Sequence, residues 1–130
     1  MWTVGAILMA TLLIRFTQAP YTSGKSQEGL DFALAATNYG HIVHVLFEGE
    51  GVLQLVKTDA VNTLKNHSKR LASMPFFDIE ACFICQDSAR QWDISTLLAN
   101  TDVAAELDAH YVDAPARISL INSADHVVTF

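Results

Sequence analysis

With 130 residues the chain has room for one compact domain and not for two. Hydrophobic residues make up 51% and charged ones 17%, which excludes a disordered or solvated-tail protein. A net charge of −6 with only eight Lys plus Arg supplies no basic surface to follow a phosphate backbone, so direct nucleic-acid binding by this chain alone is not expected.

Residues 1–14, MWTVGAILMATLLI, form an uncharged run that Arg15 closes. The run is shorter than the roughly 18–20 residues of a bilayer-spanning helix, so no membrane association is expected. It is also a poor export signal, because no Lys or Arg precedes it and Arg15 falls where a neutral region belongs. Two cysteines, Cys82 and Cys85, are too few to staple a secreted scaffold and suit a reducing cytoplasm.

In chain order, ATLLIRFTQ (10–18) reads as a β-rich apolar strand. A loop with Pro20 and Gly24 follows, then a helix on which Leu30, Ala33, Leu34 and Thr37 share one face, with Ser26 as cap and Gly40 as stop. HIVHVLFE (41–48) is a second strand, ending in Glu48-Gly49-Glu50-Gly51 and a short apolar turn. Val61, Leu64, Ser68 and Leu71 recur at helical spacing until Pro75. DIEACFICQ (78–86) is a third strand, after which Ser88 and Gln91 have the spacing of a capping box. HYVDA gives a fourth strand, ARISLINSA a last helix with Ile118 and Ile121 inward, and HVVTF a fifth strand. Continuous apolar strands separated by helices indicate a parallel sheet covered on both faces: a five-stranded, three-layer α/β/α sandwich, expected in the flavodoxin-like order 2-1-3-4-5.

In open parallel sheets chemistry gathers at the carboxyl ends of the strands, here the loops 18–26, 48–54 and 85–90. A three-residue separation on an extended strand sends Cys82 and Cys85 to opposite faces about 10 Å apart, beyond the roughly 7 Å reach of a disulfide. The same geometry fails a chelating pair, and it applies equally to His41 and His44, so no metal or other cofactor is expected. Cys82 reads as a small core hydrophobe. Cys85 falls where a strand ends and a helix begins, where backbone amides favour the thiolate while the nearby Asp87 opposes it. Ala19-Pro-Tyr-Thr-Ser-Gly24-Lys25-Ser26 is one Gly-to-Ala change from a phosphate-cradling loop, but it lacks the leading glycine and Pro20 removes a donor. The plainer reading is a strand-to-helix connection. The carboxylates of 48–54 make a thin metal site and read more plainly as a solvated turn, while Val52, Leu53 and Leu55 form a partner-facing patch if they exceed what the interior of one small domain needs.

The order of motifs resembles the DsrE/DsrF-like family of sulfur-relay proteins, and within it the TusC/DsrF branch. The likeness rests on Ala19-Pro20-Tyr21, Glu28-Gly29-Leu30-Asp31 with Leu34-Ala35, Phe47 with Gly51-Val52-Leu53-Gln54-Leu55, Ile79-Glu80 with Cys82-Phe83-Ile84-Cys85, and Phe130. It spans residues 10–130. The resemblance implies a cytoplasmic heterohexamer with TusB-like and TusD-like subunits, two copies of each protein. That assembly passes persulfide sulfur toward 2-thiolation of wobble uridine in tRNA, or serves sulfur oxidation in the Dsr version. The relay cysteine of such complexes belongs to the DsrE-like subunit; Cys85 stands at the matching strand position and is the candidate persulfide carrier here. Glu50 stands where the branch usually has Asp, and Gln91-Trp92-Asp93 replaces an arginine-glycine step. A cut near Ala19 would delete an interior strand, which argues against export. Residues 1–8 are expected to be an extension of the single domain or to precede its native start. The contrasting reading is a nucleotide- or anion-binding module using residues 19–26.

Overall fold

A computed structural model describes residues 10–20, 24–55, 67–79, 81–93 and 107–130. Five strands form a single sheet: β1 (Thr11–Phe16), β2 (Ile42–Phe47), β3 (Ala81–Cys85), β4 (His110–Val112) and β5 (His126–Thr129). Helices α1 (Lys25–Asn38), α2 (His67–Ala72), α3 (Gln86–Gln91) and α4 (Ala114–Ser123) connect them, with 3-10 helices at Gly49–Leu55 and Met74–Phe77. Every neighbouring strand pair is parallel. The apolar runs of β1, β2 and β3 are largely buried at the centre of the sheet, while the edge strands β4 and β5 are mostly exposed.

The strand order is β4-β3-β2-β1-β5, not the expected 2-1-3-4-5. Apolar periodicity identifies strands and crossovers but does not encode the direction of each lateral step. The steps β1 to β2, β2 to β3 and β3 to β4 all move one way, so right-handed crossovers gather their helices on one face. Only the step from β4 to β5 returns past β1, and it lays α4 on the opposite face. The two cores follow from this. The larger contains Ile14, Phe16, Leu30, Val45, Phe47 and Cys82; the smaller holds Leu13, Leu46 and Val112 beneath Ala116, Leu120 and Ile121 of α4. β1 is still an interior strand, paired with β2 on one side and β5 on the other.

Local expectations change for physical reasons. α1 is preceded by Gly24 in the left-handed conformation (φ 77°) rather than capped by Ser26, which lies inside the helix and is buried. Ser88 does not cap α3; Cys85 occupies the cap position, and the Ser88 hydroxyl accepts a hydrogen bond from the Gly49 N–H (2.8 Å). On α4, Asp113 caps the Ala116 N–H (2.9 Å) and Ile118 points outward at 51% exposure, while Ile121 packs inward. Val52 and Leu55 are wholly buried in the larger core, and the partly buried Leu53 packs against it. The helix expected through Val61 and Leu64, residues 1–8 and residues 21–23 of the phosphate-loop-like segment lie outside the described residues. Among the described residues no helix is long and apolar enough to cross a membrane.

Candidate functional site

Register brings three of the strand ends level. Phe47 pairs with Ile84, so the next residues, Glu48 and Cys85, stand side by side, and Cys85 pairs in turn with Val112 of β4. Glu48 continues the ladder with β1 through its N–H to the Phe16 carbonyl (3.0 Å). The Gly49 bond to Ser88 ties the end of β2 to the first turn of α3, so the 48–54 and 85–90 loops meet. Strand alternation places Arg15, Glu48 and Cys85 on the face that α4 covers, opposite Phe16, Phe47 and Cys82.

Cys82 and Cys85 are both free and divide as the spacing requires. Cys82 is fully buried in the larger core, where burial pushes its thiol up to about 12; it is not ionised at neutral pH. Cys85 retains 7% exposure at the strand end. Asp87, which the sequence sets against a Cys85 thiolate, is exposed and paired with Arg90 at 3.8 Å.

Glu48 is the charged residue the sequence misplaces. Read as part of a solvated acidic turn, it is instead 7% exposed and accepts from Arg15 of β1 and from Arg117 of α4, the latter at 3.4 Å. Glu50 is exposed, so the two carboxylates separate. Among the described residues no three His, Cys, Asp or Glu converge as a metal site. The signal was present: an arginine inside an apolar strand must find a partner, and Glu48 ends the neighbouring strand. His41 accepts the Ala10 N–H at 3.1 Å, whereas His44 sets its ring edge-on to Phe83, and burial lowers its pKa.

The sequence profile of the DsrE/DsrF-like family matches residues 10–130. The chain belongs to the DsrE/DsrF-like family. It is 33% identical to a TusC homologue of Aliivibrio fischeri over 75 residues, which cover 56% of this chain and 64% of that protein. It is 27% identical to the TusC homologue of Vibrio vulnificus over 124 residues, covering 94% of this chain and all of that one. These likenesses support the TusC/DsrF branch. The crystal structure of the YchN protein from E. coli superposes with a TM-score of 0.75 at 18% identity, covering 94% of this chain and 100% of the other, which establishes a shared fold.

In this family member the motif residues are chiefly architectural. A Cβ on Gly51 would stand 1.8 Å from the Phe16 carbonyl oxygen, so only glycine lets the Gly49–Leu55 helix lie against the end of β1. A Cβ on Gly29 would meet the Phe16 ring at 2.6 Å and Phe130 at 3.0 Å. Gln54 is buried and bridges elements: its amide nitrogen donates to the Gln18 carbonyl (2.9 Å) and its oxygen faces His67 Nε2 (2.8 Å). Asp31 of α1 pairs with Arg70 of α2. In the segment resembling a phosphate loop, Lys25 stands 3.7 Å from Glu28, placing a carboxylate in the first helical turn where a phosphate would require positive charge.

Proposed function

We propose that the chain is a sulfur-relay subunit of the TusC kind, working in a cytoplasmic heterohexamer with TusB-like and TusD-like partners, two copies of each. In this reading the assembly passes persulfide sulfur toward 2-thiolation of wobble uridine in tRNA. Family membership over residues 10–130 and likeness to TusC homologues support the relay role. The observation that carries a chemical part for this subunit is the placement of Cys85 at the carboxyl rim of the sheet, while Cys82 is sealed in the core.

The step needs a thiolate and no metal. The Cys85 thiolate attacks the outer sulfur of a donor cysteine persulfide. A sulfur–sulfur bond forms on Cys85 as the donor's own sulfur–sulfur bond breaks, and the electron pair leaves on the donor thiolate. The same exchange in reverse order discharges Cys85 to an acceptor thiolate.

Incubation with a persulfide-loaded donor followed by intact-mass and fragment mass spectrometry tests the reading. A 32 Da adduct on Cys85, lost in Cys85→Ser and retained in Cys82→Ala, is the expected result. An adduct insensitive to Cys85→Ser, or none, removes Cys85 from the relay and leaves the subunit an assembly role.

A further inference from the structure

The Cys85 side of the sheet holds a charged cluster with more positive than negative members. Glu48 is nearly buried and carries two arginines, Arg15 from the strand beside it and Arg117 from α4. Counted as formal charges the cluster is +1. A lone buried carboxylate one strand from a sulfur atom would repel any negative charge gathering there; two arginines reverse that sign. The arginine side chains are 27% and 29% exposed and the carboxylate 10%, so the excess positive charge lies on the solvent side of the cluster. The other charges near Cys85 lie in solvent, where screening weakens them. Asp87 and Arg90 neutralise each other in solvent, Asp113 is exposed and capping α4, and Glu50 is exposed on the 3-10 helix.

We infer that Arg15, Glu48 and Arg117 form a charge-setting cluster whose surplus positive charge receives the anionic terminal sulfur of a persulfide on Cys85. The inference rests on the reading of Cys85 as the reactive thiol and adds the element that selects the charge of what Cys85 carries. A persulfide on Cys85 extends one sulfur beyond the thiol and carries its charge at that end, which places the charge further out from the strand than the thiol itself. The three residues act as positioning residues, because their charge works through Cys85 and not on a reacting bond.

The test compares two alkylating probes of similar size on the full-length protein at one pH: iodoacetate, which is anionic, and iodoacetamide, which is neutral. The ratio of their rates at Cys85 cancels the thiolate fraction and reads the local charge. Fragment mass spectrometry separates Cys85 from Cys82. Glu48→Gln, which removes the negative member, should raise the iodoacetate-to-iodoacetamide ratio roughly threefold, and Arg117→Gln should lower it by a similar factor, as expected for one charge at this range with partial screening. Arg15→Gln with Arg117→Gln should lower it further, and Arg117→Lys should restore it.

Breaking the ion pair is common to Glu48→Gln and Arg117→Gln, so a purely structural role predicts equal shifts in one direction. Opposite shifts support the inference. Shifts of the same sign, an unchanged ratio, or no labelling of Cys85 in the native protein overturns it. Arg15→Gln alone supplies the same readout should Arg117→Gln fail to fold. Absence of a sulfur adduct on Cys85 in the persulfide experiment, with opposite shifts seen here, would overturn the relay role and leave the charge assignment standing.

Discussion

Gln54 Oε1 and His67 Nε2 lie 2.8 Å apart in the interior, linking the Gly49–Leu55 helix to α2. Because the Gln54 amide nitrogen already donates to the Gln18 carbonyl, its oxygen is the acceptor and the imidazole donates. Burial, aided by the Arg70 charge and opposed by Asp31, lowers the His67 pKa to about 4. An unfolded chain protonates this histidine near its ordinary value of 6.5.

The unfolded state therefore binds more protons than the folded state between those values, and stability rises with pH there. The contribution of His67 is fully present above about pH 6.5 and is lost as the pH falls through about 4. Its size is on the order of 2–3 kcal/mol. Urea unfolding from pH 7.5 to 4 should show this acid-side slope, and His67→Gln should flatten it. Equal slopes in the two proteins would assign the effect to other groups.

Gly51 sets a steric prediction. With a Cβ 1.8 Å from a backbone oxygen, Gly51→Ala must displace the 3-10 helix from β1. The expected cost is at or above about 3 kcal/mol, the upper range of overpacking. Gly40→Ala, where no atom lies within 4 Å of the added Cβ, meets only the backbone penalty of its φ of 86° and should cost about 1 kcal/mol. Denaturant midpoints of the two variants rank these effects, and equal midpoints would refute the close approach.

The two thiols should separate by reactivity. Native protein treated with a neutral maleimide should label at Cys85 and leave Cys82 unmodified until the chain unfolds, since the Cys82 thiol is sealed and held up at about 12. Cys82→Ser should destabilise by about 1–3 kcal/mol, because its hydroxyl enters an apolar core. Labelling of Cys82 in the native state would contradict the packing.

The two faces of α4 make a third contrast. Leu120 faces the smaller core and Ile118 is half exposed. Leu120→Ala should cost about 2 kcal/mol and Ile118→Ala no more than about 0.5 kcal/mol in thermal melts. Reversal of that order would mean that α4 is rotated about its axis.

Strand identities were readable at the centre of the sheet because the apolar runs of β1, β2 and β3 are largely buried, and the divergence of Cys82 and Cys85 followed from a period of two. Strand order was not, since a lateral step leaves no periodic trace in the chain. The outward turn of Ile118 follows from α4 being, among the described residues, the one helix on its face, with one side of it in solvent. Motif residues such as Gly51 and Gln54 were legible as a family pattern, yet their work is contact with the end of β1 and with His67, which only three dimensions display. Glu48 was visible but misread, because its partners stand 33 and 69 residues away.

α4 contributes no fully buried residue, and it is the element that carries Arg117. A helix so lightly held opens more readily than the layer of α1 and the 3-10 helices across the sheet. Each such opening takes one arginine away from Glu48 and turns the cluster from positive to neutral. The electrostatic state beside Cys85 is thereby tied to the local unfolding equilibrium of one helix, and whatever clamps α4 in place also sets the charge at the rim.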